Sequence, residues 1–314
     1  MSQNPLRKSK QIIECVPNFS EGRRYEVIQE IESRFRDRKG VYMLDSRADS
    51  DHNRLVISLA GEPEPLADAL IDAAKTSLRH IDMEKHTGGH PRIGAVDVIS
   101  FTPLRNITMA ECAALTHEFG ARYYRETEIP VYFYEESATR PDRKNLEVVR
   151  KGQYELLCEE VKHNPDRRPD VGDPCLHPSA GATAIGARKL LVAFNVNLAT
   201  EDVGIAKKIA ATLRSSSGGF RHVKAIGLAL ESRGAVQVSM NVTDYEKNSL
   251  YRVLEMVRME ARRYGVAVLG TEVYGMVSAE ALLDSAAYYM QTEGFSPGQI
   301  IEMRLLEMMG EEND

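Results

Sequence analysis

Along the chain the apolar positions switch repeatedly between a period near 2 and a period near 3.6, and each switch marks an element. "QIIECVPN" (11–18) reads as a short strand stopped by Pro17 and Asn18. In "GRRYEVIQEIESRF" the apolar residues Val27, Ile28, Ile31 and Phe35 recur at helical spacing. "GVYMLDSR" and "NRLVISLAG" predict two strands separated by the polar "ADSDH", and "PEPLADALIDAAKTSLRH" predicts a helix entered through prolines. A strand at "AVDVISFTP", a helix at "TMAECAALTHEFGARYYRE" and a strand at "PVYFYEES" follow. The order is β-α-β-β-α-β with one further helix and strand.

The texture changes between Arg140 and Gly186, where short helical pieces mix with Pro, Gly and Asp, and this stretch is expected to be a connector. The earlier order then begins again. "RKLLVAFNVNLA" predicts a strand, "EDVGIAKKIAATLRS" a helix, and "VKAIGLALES" and "AVQVSMNVT" two strands. In the last of these Val236, Val238, Met240 and Val242 alternate with Gln237, Ser239 and Asn241, which gives one buried and one polar face. "YRVLEMVRMEARRYG" and "VAVLGTEVYG" complete a second β-α-β-β-α-β, followed by helices at "SAEALLDSAAYY" and "SPGQIIEMRLLEMM". The expected fold class is therefore α+β. Two ferredoxin-like (βαββαβ) subdomains, 1–186 with the connector and 187–314, are expected to pack together with the active-site cleft between them.

A hydrophobic fraction of 43% argues against disorder, and a net charge of −6 gives no overall attraction for nucleic acid or an anionic membrane. Neither is expected as a partner. The scattered cysteines Cys15, Cys112, Cys158 and Cys175 show no metal spacing and are expected to be reduced. With no N-terminal apolar leader run, the expected location is cytoplasmic. The cations Arg140, Arg143, Lys144, Arg150, Lys151, Lys162, Arg167 and Arg168 collect in the connector, as a solvated face or a patch that steers an anionic substrate.

The chemistry concentrates in "HTGGHPRIGAVD" (86–97). Gly88 and Gly89 allow a tight turn, and Pro91 holds the residue before it extended, so His90 sits on stiff backbone. That placement suits a general acid/base of near-neutral pKa, with Asp97 available to orient the imidazole. His52, Asn53 and Arg54 form either a solvated turn or a carboxylate contact. "DPCLHPSAGATAIGARK" lacks the Lys and Ser/Thr of a phosphate loop, and reads instead as a small-residue loop, its second half a helix N-terminus or a ligand approach. A branched side chain at Gly181 is expected to obstruct a flat ligand. His86 and His90 have no third ligand in view, so no metal is expected.

"ECVPNFSEG" (14–22), "HTGGHPRIGAVDV" (86–98) and "GATAIGARKLLVAFNVNL" (181–198) resemble the signature stretches of the glutamate formimidoyltransferases, the formiminotransferase part of formiminotransferase-cyclodeaminase. The resemblance runs along almost the whole chain. It implies tetrahydrofolate as co-substrate, N-formimidoyl-L-glutamate as its partner substrate, a homodimer, and no cyclodeaminase part. It also implies His90 as catalytic histidine and a folate loop at Gly172, Asp173, Pro174, Cys175, Leu176, His177, Pro178, Ser179, Ala180 and Gly181. Arg54 and Arg92 are the expected holders of the glutamate carboxylates. A formyl donor, or a non-catalytic folate-binding protein, is the alternative.

Overall fold

The computed structural model describes residues 10–313, so the N-terminal stretch 1–9, where no leader run was read, lies outside the described residues. The chain divides into two compact units, the division falling between Arg188 and Lys189. Among the described residues no helix is long and apolar enough to cross a membrane.

The first unit runs β1 (Ile12–Cys15), β2 (Asn18–Phe19), α1 (Tyr25–Ser33), β3 (Val41–Asp49), β4 (Arg54–Gly61), α2 (Pro63–His80), β5 (Val96–Arg105), α3 (Met109–Thr127), β6 (Val131–Glu135), α4 (Leu146–Val149), α5 (Gln153–His163) and β7 (Thr183–Ala187). Its seven strands form one sheet in which β3 pairs β4, β1 and β2 lie in line between β4 and β5, and β7 lies between β5 and β6. The pairs among β1 to β5 are antiparallel, whereas β5–β7 and β7–β6 are parallel. α2 is entered through proline in its first turn, and α3 through a capping box between Thr108 and Glu111. Ile31, Leu66, Leu70, Phe101, Phe119 and Tyr123 belong to the main core, on the side of α1, α2 and α3. A second cluster of Val98, Tyr132, Tyr134, Ala182 and Ala184 packs with Val149 of α4 and Leu157 of α5.

This second cluster corrects the reading of 140–186 as a connector alone. The segment "TAIGA" is neither a free loop nor a helix N-terminus, but strand β7 at the centre of the parallel region. All five of its residues are buried. A strand covered on both faces shows no alternation, so periodicity could not reveal it.

The second unit runs β8 (Val192–Leu198), α6 (Val203–Leu213), β9 (Val223–Leu230), β10 (Ala235–Val242), α7 (Leu250–Arg263), β11 (Val268–Tyr274), α8 (Ala279–Met290) and α9 (Ile301–Asn313). Its sheet has the order β11-β8-β10-β9 with every pair antiparallel. Val236, Val238, Met240 and Val242 face the core with Val196, Ile209 and Val253, as their alternation requires.

Candidate active site

The loop between α2 and β5 carries the chemistry-bearing residues, and neighbouring segments hold it from several sides. Ser20 donates from its backbone to the Ala95 carbonyl at 2.9 Å and from Oγ to the Gly94 carbonyl at 2.7 Å. Asn53 accepts from the Gly22 backbone at 2.9 Å and donates to the Thr87 carbonyl at 2.9 Å. The Gly89 backbone donates to Asp51 at 3.2 Å, and Ala95 donates to Ala180 at 2.9 Å. Gly88 is required for close approach rather than for an unusual turn, since a Cβ there would lie 2.3 Å from the His52 carbonyl oxygen. A backbone fixed at so many points leaves the His90 side chain little freedom to drift.

His90 has a side chain only 17% exposed, with Nε2 3.8 Å from Oδ2 of Asp97. That gap exceeds a hydrogen bond, and Nε2 is buried with no hydrogen-bond partner. Asp97, itself buried, accepts from the Ile93 backbone at 2.8 Å on one oxygen and from Arg150 on the other. Burial, then the charges of Arg54 and Arg150, push the His90 pKa down to about 3, with Asp49 opposing them. The near-neutral value expected from sequence is therefore replaced by a lower one, at which the imidazole is unprotonated at pH 7 and binds a proton weakly until its surroundings change.

His86 and Arg92 serve a different purpose. His86 accepts at Nδ1 from Arg92 Nε at 3.2 Å and faces the Asn53 carbonyl through Nε2 at 3.2 Å, which assigns the tautomer with the proton on Nε2. Arg92 is 6% exposed. Its remaining N–H groups go to Gln153, to both oxygens of Glu155 and to the His86 carbonyl, at 2.7–3.1 Å. Every N–H of Arg92 is engaged within the protein, which ties the loop to α5 and argues against the expected role of Arg92 as a carboxylate holder. Arg54 opens β4 and stands close enough to influence His90. His52 pairs through Nδ1 with Asp49 at 2.8 Å, and Asp49 also accepts from the Asp51 and His52 backbones, which makes this turn a self-organised unit.

Residues 172–181 split into two parts. Asp173, Cys175, Leu176, His177 and Pro178 line a cavity of about 530 Å³ with Tyr124, Arg125, Glu128 and Pro130. His177 Nδ1 accepts from the Ser179 and Ala180 backbones at 3.4 and 3.1 Å, and burial lowers its pKa. Ala180 and Gly181 are buried instead. Gly181 has φ +70°, and a Cβ there would lie 2.3 Å from the Ile93 carbonyl oxygen. Its glycine is demanded by the backbone it packs against, not by a ligand, which corrects the expected reason for it.

A second cavity of about 420 Å³ borders the loop, lined by Ser20, Glu21, Arg23, Arg24, Asn53, Lys85, His86 and Thr87, among others. The connector cations do not form a single solvated patch. Arg143 is buried on Asp170, Arg140 pairs Asp166, Arg167 pairs Glu160, and Arg150 pairs Asp97. In the sequence Arg150 reads only as one of a run of cations, because an ion pair with Asp97 across 53 positions leaves no local pattern. Among the described residues no three His, Cys, Asp or Glu side chains gather as metal ligands, and the four cysteines are unbridged.

Comparison with known proteins adds identity to this geometry. Residues 12–188 match the family model described as the formiminotransferase domain, N-terminal subdomain, and residues 193–308 match the formiminotransferase domain model. A glutamate formimidoyltransferase of Streptococcus pyogenes serotype M1 is 48% identical over 94% of this chain and 99% of its own length. One from Thermoplasma acidophilum is 43% identical, over 94% and 97%. The formimidoyltransferase-cyclodeaminase of Rattus norvegicus is 41% identical over 90% of this chain, which matches 53% of the rat protein.

Proposed function

The chain belongs to the formiminotransferase family, and from that membership we propose that it transfers a formimidoyl group between N-formimidoyl-L-glutamate and tetrahydrofolate. The observation that carries the reading is the buried, unprotonated His90 with its unpartnered Nε2 on a loop fixed from several sides. In the degradative direction N5 of the folate attacks the formimidoyl carbon and a tetrahedral intermediate forms. The bond from that carbon to the glutamate nitrogen then breaks. His90 takes the proton that N5 loses and returns it to the departing amine, so one imidazole serves as base and then acid. Arg54 is the cation proposed for a glutamate carboxylate, Arg92 being fully engaged within the protein.

Folate is assigned to the loop 172–181. The cavity beside Tyr124 supports the assignment of Asp173 and Cys175 to Pro178, whereas Ala180 and Gly181 would shape the loop from beneath. Both units are read as ferredoxin-like: β8, β9, β10 and β11 give the spatial order fourth-first-third-second, and the antiparallel part of the first sheet repeats it. A cytoplasmic homodimer is part of the same reading. Its support is apolar side chains on the second unit, where Met290, Ile301, Leu305 and Leu306 are 55–79% exposed.

The test is an assay of the purified chain with tetrahydrofolate and either N-formimidoyl-L-glutamate or N-formyl-L-glutamate. Turnover should be faster with the formimidoyl donor. Preference for the formyl donor would reassign the transferred group, and no turnover with either would leave a binding protein.

A further inference from the structure

The Asp97 carboxylate is the obvious partner for a catalytic imidazole, yet it is held for something else. One oxygen accepts from the Ile93 backbone at 2.8 Å and the other from Arg150, while His90 Nε2 waits 3.8 Å away without a partner. Arg150 comes from outside the loop, at the C-terminal end of α4, and its side chain is 16% exposed against 2% for Asp97. A buried Arg–carboxylate pair costs desolvation of both ions and gives weak net stability, so its placement beside His90 calls for a functional account.

We propose that Arg150 is a positioning residue, which clamps Asp97 away from His90 so that the imidazole stays an unpaired, unprotonated base. This rests on the reading of His90 as the acid/base. The charged and titratable groups facing His90 are Arg54 at the start of β4, His52 and Asp49 at the β3–β4 turn, Arg150 after α4, and Asp97 on β5. Arg150 is also bonded to the nearby carboxylate. Without the clamp, Asp97 needs to approach by only about 1 Å to reach hydrogen-bond distance of His90. It would then favour the imidazolium, and the pH below which the base already holds a proton before substrate arrives would rise.

The experiment is an NMR titration of the His90 ring in the full chain, with a pH profile of kcat/KM beside it. In Arg150→Met the His90 midpoint should rise by roughly one to three pH units, the usual effect of a carboxylate brought close. Arg150→Lys, which keeps the charge and is the milder change to the fold, should hold the midpoint near the starting value of about 3. The double variant Arg150→Met/Asp97→Asn should lose most of the rise. An unmoved midpoint in a folded Arg150→Met protein overturns the proposal, as does an equal rise in the double variant, because Asp97 would then play no part. The acidic limb of kcat/KM, which reports the free enzyme's base, should move with the NMR midpoint. A midpoint that moves while the limb stays fixed leaves the clamp standing and removes His90 as the base.

Discussion

The two units repeat one element order and differ most in one connection. In the first, residues 81–95 separate α2 from β5; in the second, only 264–267 separate α7 from β11. The long connection holds His86, His90, Arg92 and the packing glycines, and is tied to Ser20, Asn53, Asp51 and Ala180. The short one is closed by Gly265 at φ +67° with nothing near its missing Cβ. The frame is shared and the chemistry is grafted onto it at one place, where parallel strand β7 and helices α4 and α5 supply the support that the second unit lacks.

The largest effect expected from that contrast is His90→Ala, which should lower turnover by roughly 10²–10⁴-fold with the fold intact. His222→Ala, removing another imidazole with a buried unpartnered Nε2 but in the second unit, should leave turnover unchanged. Near-normal turnover in His90→Ala, or a greater loss in His86→Ala, would mean the wrong histidine has been named.

Next comes backbone strain. Gly181→Val puts a side chain 2.3 Å from the Ile93 carbonyl at φ +70°, and should cost roughly 2–4 kcal/mol in denaturant unfolding. Gly265→Ala, at a similar φ with open space, should cost about 1 kcal/mol. Equal losses at the two glycines would show that the long loop is no more tightly packed than the short one.

A comparable effect should appear with acid. The folded pKa of His90, about 3, lies below the unfolded value of roughly 6.5. Between those limits the unfolded chain binds the proton and the folded chain does not, so stability falls as pH drops, by roughly 1.4 kcal/mol per unit from this group. Comparing unfolding free energies at pH 7 and pH 5 in wild type and His90→Gln checks this. An identical pH dependence in both would refute it.

Arg92→Met should cost about 1–3 kcal/mol of stability, with KM for the glutamate donor little changed because the Arg92 N–H groups are engaged within the protein. A large rise in KM with unchanged stability would return Arg92 to the substrate.

What the sequence determined is what repeats locally. Alternation at Val236 to Val242, the helical spacing of Val27, Ile28 and Ile31, and the prolines opening α2 specify elements because side-chain periodicity follows from backbone geometry within a few residues. The density of histidine, glycine and arginine at 86–97 likewise marked the candidate site. Only the tertiary structure decided what each of those residues does there. Strand β7 is buried on both faces and so shows no period, and Arg150 reaches Asp97 across more than fifty positions of chain. Arg92 turned inward because Glu155 and Gln153 came to it through the packing of α5. His90 lost its expected pKa for the same reason: burial and the nearness of Arg54 and Arg150 are fixed by distance in space, and charge interactions between remote segments leave no trace in the order of residues.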